Sequence, residues 1–170
     1  GSVFVVRNVF RANRLGVTPN SQQMEQLAPQ VETVVAGNLV VDNDNPAAPA
    51  IANGFFGGGI AIGGGTQNTV LRNRVSGHSF YGIGLVTLND FDPFGNRIEG
   101  NVVTGNGVDL YYELRPGDVA TFDNCFTLNE YQTSKPADIE TVLGCDVPAG
   151  PVTPEALVQT EPPPNVDYQL

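Results

Sequence analysis

The stretch "RIEGNVVTGNGVDLYY", from Arg97 to Tyr112, decides the fold. Its two asparagines, Asn101 and Asn106, lie five positions apart and enclose an apolar pair that includes Val103. Asparagine before glycine is a common turn signal, so a single copy of this pattern carries little weight. The same frame recurs in "VVRNVFRAN" (Asn8, Asn13), "VVAGNLVVDN" (Asn38, Asn43), "VLRNRVSGH" (Asn73, His78) and "TFDNCFTLN" (Asn124, Asn129).

The five frames share a rule for their apolar positions. An apolar residue precedes the first asparagine by three positions, except at Thr121, and another follows it by two. The first asparagines are separated by 30, 35, 28 and 23 residues, so insertions fall outside the frame, as they do in solenoid proteins. The residues two positions after the first asparagine are Phe10, Val40, Val75, Val103 and Phe126.

A second short element follows the frame in four copies: "GVTP", "GIAI", "GIGL" and "GVDL", which begin at Gly16, Gly59, Gly82 and Gly107. Its period of two predicts that Val17, Ile60, Ile83 and Val108 face the core and that Thr18, Ala61, Gly84 and Asp109 face outward. Such short strands satisfy their backbone groups when each pairs with its equivalents above and below. The sequence therefore predicts an all-β, parallel β-solenoid of about five coils.

The repeated asparagines are predicted to form a structural ladder. An asparagine at the bend between two strands tolerates the left-handed conformation, and its amide can bond its equivalents in adjacent coils. His78 occupies an asparagine slot, so a structural role explains it without catalysis. The predicted first slots are Asn8, Asn38, Asn73, Asn101 and Asn124, and the second are Asn13, Asn43, His78, Asn106 and Asn129.

Composition restricts the partners. The formal charge is -10, from 18 acidic and 8 basic side chains, which disfavours nucleic acid because its binding requires a basic surface. Neutral or acetylated sugars are easier to accommodate than polyanions. No apolar run approaches the roughly 20 residues of a membrane span, so no membrane-spanning segment is predicted.

Two cysteines, Cys125 and Cys145, admit two interpretations. A metal or redox pair normally has closer spacing and further ligands, whereas a disulfide would fasten a C-terminal cap. The disulfide is the prediction, and it implies an oxidising, extracytoplasmic compartment. We expect a β-helix with its cap over residues 1–145 and a proline-rich tail over 146–170.

The run "RNVFRANRLGVTPNSQQMEQLAPQVETVVAGNLVVDNDN" and the end "DNCFTLNEYQTSKPADIETVLGC" resemble secreted bacterial right-handed parallel β-helix repeat proteins with the pectate-lyase-like fold. The resemblance covers roughly residues 1–146 and is to the C-terminal half of such proteins. The opening "GSVFVVRN" already lies inside a repeat, so we expect a longer chain or a processed form. The open first coil would then pair with the missing N-terminal portion or with a second copy.

The resemblance implies a cleft along the outer face of one sheet, used by lyases, epimerases or glycoside hydrolases. The acids near that face are Asp109, Asp90, Asp92 and Glu113, and Arg115 is the nearest base, which does not complete a catalytic set. Eight aromatic residues lie at or near the edge of successive coils, and a subset of them could stack on sugar rings along a shallow groove. They are Phe55, Phe56, Phe80, Tyr81, Phe91, Phe94, Tyr111 and Tyr112. The predicted substrate-binding residues are Asp109, Tyr111, Tyr112, Asp90 and Asp92.

The loop "NDFDPFGNRIE" is a candidate calcium site formed by Asp90, Asp92 and Asn96. Gly95 stands where an EF-hand has its glycine, but Phe94 occupies a ligand position, so only a looser Ca²⁺ site is predicted. Two functions follow from the whole sequence. One is an extracytoplasmic protein that binds or processes polysaccharide or oligosaccharide; the other is an assembly module that acts through its open first coil.

Overall fold

The computed structural model describes residues 2–23, 26–48, 55–113, 122–148, 152, 155, 157–159 and 164. The described chain is an all-β fold whose strands pair in parallel in three sheets. Successive strands enter the three sheets in turn, so that each pass of the chain is stacked on the preceding one. This order is compatible with a parallel β-helix. No helix among the described residues is long and apolar enough to cross a membrane.

The strands are short, and their bounds follow the repeated frames. The first sheet contains β1 (Phe4–Val6), β3 (Val34–Ala36), β6 (Thr69–Leu71), β9 (Arg97–Glu99) and β12 (Cys125–Thr127). The second contains β2 (Val9–Arg11), β4 (Leu39–Val41), β7 (Arg74–Ser76) and β10 (Val102–Thr104). The third contains β5 (Ile60–Gly63), β8 (Tyr81–Val86), β11 (Val108–Tyr112) and β13 (Ser134–Lys135).

Apolar residues stack in register inside the three sheets. Each central residue of a first- or second-sheet strand lies over its equivalent in the next pass, because parallel pairing places identical positions side by side. The predicted inward residues Val35, Val40, Val70 and Val75 are fully or almost fully buried. The stack of the first sheet is Val5, Val35, Val70, Ile98 and Phe126, and that of the second is Phe10, Val40, Val75 and Val103.

A ladder of asparagines joins the first and second sheets. Each Oδ1 atom accepts both the backbone N–H and the Nδ2–H of the asparagine in the preceding pass, at 2.8 to 3.3 Å. In the buried passes Nδ2–H also donates to a backbone carbonyl, as Asn101 does to Val70. These bonds satisfy polar groups at a buried bend, which would otherwise be costly. This first ladder contains Asn8, Asn38, Asn73, Asn101 and Asn129.

Two further ladders flank the third sheet. The second ladder contains Asn13, Asn43, His78 and Asn106, as predicted for those four residues. The third ladder was not predicted from the sequence, and it contains Thr33, Asn68, Asn96 and Asn124.

The slots predicted for Asn124 and Asn129 are wrong. Phe126 pairs with Ile98 rather than with Val103, so the last frame is displaced by one strand. Asn124 consequently lies in the third ladder and Asn129 in the first. The displacement is permitted because both bends have the same five-residue spacing between an asparagine and the next. Thr121, the apparent exception to the apolar rule, lies outside the described residues.

The left-handed bend is made by the residue before each ladder position. The prediction that the asparagine itself makes this bend is wrong. In the first ladder these residues have φ between 52° and 64°. The asparagine is fixed because its own backbone N–H and Nδ2–H both donate to one asparagine oxygen of the next pass, as those of Asn73 do to Asn101 Oδ1. The chain turns one residue earlier. The first-ladder bend residues are Arg7, Gly37, Arg72, Gly100 and Leu128.

Carboxylates end two of the ladders. Glu140 Oε1 accepts the N–H and Nδ2–H of Asn129 at 2.8 and 2.7 Å, and Asp109 Oδ1 accepts the same pair from Asn106 at 3.2 and 3.0 Å. Each oxygen thus takes the place of the next asparagine. Glu140 lies in the short helix α1 (Ile139–Val142), within the segment closed by the Cys125–Cys145 disulfide. The predicted disulfide is confirmed.

The first prediction concerns the interior of the first ladder. Asn101→Ala removes the acceptor of two Asn73 donors and the donor to Val70 in a buried setting. We expect the free energy of unfolding to fall by about 3 kcal/mol. Asn8→Ala is the matched control, because Asn8 is exposed and should change stability by less than about 1 kcal/mol. Urea unfolding measures both, and equal losses would contradict the ladder's role.

The second prediction uses the chain's only histidine. His78 Nε2 accepts from Asn43 and its Nδ1–H donates to Asn106, so the ladder requires the neutral ring. Burial lowers the pKa of His78 below 6.5, against the opposing effects of the Asn106 hydrogen bond and of Asp44 and Asp42.

The unfolded chain therefore takes up a proton near pH 6.5 before the folded chain does. The stability that neutral His78 contributes is complete above that pH and is lost as the pH falls toward the folded-state pKa. His78→Asn restores the ladder residue, so it should fold and should show a smaller loss of stability between about pH 7 and pH 5. Denaturant unfolding across that range measures this difference. An identical pH profile for both proteins would show that His78 does not titrate as proposed.

Candidate functional site

The outer face of the third sheet carries a cluster of aromatic residues. Ala61, Gly84 and Tyr111 lie side by side in the register of β5, β8 and β11. A Cβ atom at Gly84 would come within 2.8 Å of the Tyr81 ring, so glycine is needed there for that ring to pack against the sheet. The Tyr81 ring stacks on Tyr111 with 5.9 Å between centroids and contacts Phe80 at 4.6 Å.

A cavity of about 480 Å³ lies beside this cluster, and we term it the aromatic groove. Aromatic and aliphatic side chains form its floor, and amide, hydroxyl and carboxylate groups lie around it. Apolar surface with a few convergent polar groups is typical of small-molecule sites. The residues that line it are Asn20, Gln22, Phe55, Phe80, Tyr81, Val86, Thr87, Leu88, Tyr111, Glu113, Leu157 and Gln159.

Both tyrosines of the groove hold their protons firmly. Burial, reinforced by the charge of Glu113, raises the pKa of Tyr111 to about 12, although a hydrogen bond to the backbone of Leu157 opposes the shift. Burial also raises the pKa of Tyr81 strongly, again with a contribution from Glu113. Near neutral pH the two phenols are therefore neutral groups able to donate hydrogen bonds. The Tyr81 hydroxyl is buried and has no partner among the described residues.

Glu113 is the one carboxylate among the described lining residues. Its Oε2 atom accepts the backbone N–H of Thr87 at 3.0 Å, which fixes it beside the groove. Glycoside hydrolysis generally requires two carboxyl groups across the scissile bond. The described lining residues do not supply such a pair, and Arg115, the nearest base in sequence, lies outside the described residues. Recognition through stacking and hydrogen bonds is the chemistry that these residues support.

The expectation that Asp109 projects into the cleft is wrong. Its side chain is 1% exposed, and its Oδ2 atom accepts the backbone N–H groups of Gln132 and Thr133 while Oδ1 ends the second ladder. Aligning the repeats on their glycines pairs Val108 with Ile83, and this register is wrong. Val108 pairs with Tyr81 and packs with the aromatic cluster, whereas Leu110 pairs with Ile83.

The side chains of Tyr111 and Tyr112 lie on opposite faces of the third sheet, because neighbouring residues of a strand face opposite sides. Tyr111, one of the predicted substrate-binding residues, lines the aromatic groove. Tyr112 is buried in the main core beside Leu85, and its hydroxyl accepts a hydrogen bond from Asn124 at 3.1 Å. Tyr112 therefore does not face the groove, which corrects its predicted place.

One of the three candidate calcium ligands is already engaged within the fold. Asn96 is fully buried, and its Oδ1 atom accepts two donors of Asn68, so it is not available to a cation. Asp90 accepts a hydrogen bond from Gln23 Nε2, and Asp92 accepts one from the Thr87 hydroxyl at 2.9 Å. The described residues contain no group of three or more His, Cys, Asp or Glu suited to a metal. Asp92 thus bonds Thr87, which lines the groove, and is not itself among the lining residues.

Part of the groove is lined by residues that no motif or repeat in the sequence predicted to lie there. Asn20 and Gln22 follow the first-pass strand segment, and Leu157 and Gln159 come from the proline-rich tail. No model of a known protein family matches the sequence, and no curated protein matches it either. The geometry of the groove is therefore the basis for a functional proposal.

Proposed function

We propose that this chain is an extracytoplasmic, right-handed parallel β-helix protein of the pectate-lyase-like kind that binds carbohydrate in the aromatic groove. The observation that carries the proposal is the aromatic cluster of Phe80, Tyr81 and Tyr111 beside polar groups of Gln22, Thr87 and Glu113. Sugars present apolar faces that pack on aromatic rings and hydroxyls that bond amides and carboxylates. The disulfide supports an oxidising, extracytoplasmic compartment.

The charge of the chain indicates the kind of sugar. The formal charge is -10, and Glu113 adds a carboxylate at the groove. A uronate polymer would be repelled unless a cation such as Ca²⁺ bridged the two, so neutral or acetylated glycans are the proposed ligands.

The third prediction tests carbohydrate binding. Phe80 is half-buried at the groove, and Phe80→Ala should weaken glycan affinity at least about tenfold by removing a stacking surface. The matched control is Phe94→Ala, since Phe94 is exposed and does not line the groove. A glycan array identifies the ligand, and isothermal titration measures the variants. Absence of binding to all neutral and uronate glycans at millimolar concentration would refute the proposal.

A second candidate function is assembly through the first pass, and exposed apolar side chains there favour it. Phe4 is 72% and Val9 is 61% exposed on the edge strands β1 and β2. The Oδ1 atoms of Asn8 and Asn13 lie where a further ladder residue would donate. The partner would be a second copy or another portion of a longer β-helix, because an unpaired strand edge is a template for strand addition.

The fourth prediction tests this assembly. If copies associate through the first pass, the wild-type chain should form a discrete oligomer, and Phe4→Lys should dissociate it by placing a charge on the edge. Leu128→Lys is the matched control, because Leu128 is an exposed apolar residue far along the chain. Light scattering gives the masses. A monomeric wild type at high concentration would exclude self-association.

A further inference from the structure

Two residues of the described tail, Leu157 and Gln159, lie against the outer face of the third sheet. Leu157 packs against the cluster that contains Tyr81 and Tyr111, and its backbone N–H donates a hydrogen bond to the Tyr111 phenol oxygen, which is why this bond lowers the pKa of Tyr111. Gln159 Nε2 donates to the carbonyl of Phe56 at 3.2 Å. Leu157 and Gln159 both line the aromatic groove, so this segment covers the surface on which a ligand would lie.

The contacts of this segment alternate along the chain. Leu157 and Gln159 are half-buried against the sheet, whereas Val158 between them is 92% exposed. Extended backbone places successive side chains on opposite sides, and this alternation is what a docked, extended peptide shows. Further back, Val152 packs against the main core and Glu155 accepts the backbone N–H of Ala137 at 3.3 Å. The described tail residues thus contact the rest of the chain at several places.

The covered state leaves one polar group unsatisfied. Tyr81 is fully buried, and its hydroxyl has no hydrogen-bond partner among the described residues. A buried donor without an acceptor destabilises the state that buries it. If the tail segment lifted, water or a ligand oxygen could accept that hydrogen bond. Covering the groove therefore stabilises the chain less than its apolar contact alone suggests.

We propose that the residues Val152, Glu155, Leu157, Val158 and Gln159 belong to a displaceable strap that covers the aromatic groove and leaves it when a ligand binds. This inference rests on the proposed function for the ligand's identity, a carbohydrate. The sugar takes the place of Leu157 on the aromatic cluster. One of its hydroxyls donates a hydrogen bond to the Tyr111 phenol oxygen, in place of the Leu157 backbone N–H, and one of its oxygens accepts from the Tyr81 hydroxyl.

The fifth prediction tests the strap without any ligand. Leu157→Asp places a charge against the apolar cluster, whereas the matched control Val158→Asp places the same charge on the exposed neighbour. Tyrosines are nitrated with tetranitromethane, and the modified positions are identified by mass spectrometry of peptides. We expect Tyr111 and Tyr81 to react about tenfold faster in Leu157→Asp, because the apolar contact that holds the half-buried Leu157 over the two rings is lost. Tyr131, outside the groove, is the internal reference.

Equal nitration of Tyr111 in Leu157→Asp, Val158→Asp and wild type would overturn the strap. A general rise that includes Tyr131 would indicate unfolding and not strap release. In that case the milder variants Leu157→Ala and Gln159→Ala are used, because they remove contacts without adding charge. The test is then the ratio of the nitration rate of Tyr111 to that of Tyr131. A ratio unchanged from wild type in both milder variants would also overturn the proposal.

Glycan titration separates the strap from the proposed function. If both are correct, Leu157→Asp should bind the array-identified glycan more tightly than Val158→Asp, because the strap no longer competes. Faster nitration of Tyr111 without binding of any glycan would support the strap and refute carbohydrate recognition. Glycan binding with equal affinity and equal nitration in the two variants would support carbohydrate recognition and refute the strap.

Discussion

The structure depends on one repeated interaction, in which a single asparagine oxygen accepts two donors from the asparagine of the preceding pass. The backbone N–H and the side-chain Nδ2–H of Asn73 both reach Asn101 Oδ1, and the same geometry relates Asn68 to Asn96. This pair of bonds fixes the separation of the passes and the direction of the bend together. Apolar residues two positions later are consequently brought into register, so the core stacks follow from the ladders as much as from hydrophobic burial.

The ladders have a direction, and the two ends of the described chain differ because of it. At the C-terminal end the final acceptor must receive two donors, and a carboxylate oxygen of Glu140 or Asp109 does so without presenting a donor of its own. At the other end, the acceptor oxygens of Asn8 and Asn13 lie beside exposed apolar strands. The described ladders therefore end in carboxylate acceptors at Glu140 and Asp109 and begin at asparagines in the first pass.

The sequence predicts the parts of this structure that repeat. Five-residue spacing and apolar alternation predict the first ladder through Asn101, the second through Asn106, and the stacks around Val40 and Val75. They do not distinguish the register of Asn124 and Asn129, because either assignment preserves the spacing. Asn68 and Asn96 could have been found by extending that spacing one step upstream of Asn73 and Asn101. The part of the candidate site that was predicted is Tyr111 and the aromatic residues around it.

The remainder of the candidate site could not be predicted, for a physical reason that concerns the third sheet. Asp109 ends its ladder only three residues after Asn106, and β11 consequently pairs two residues out of the register that the glycines suggest. Beyond this sheet the connections differ in length between passes, so no repeated spacing places Gln22, Thr87 or Glu113. The contact between Gln159 and Phe56 joins residues 103 positions apart and has no local signal. The aromatic groove therefore lies where the ladders constrain the chain least, and there side chains can change to suit a ligand without disturbing the repeated bends.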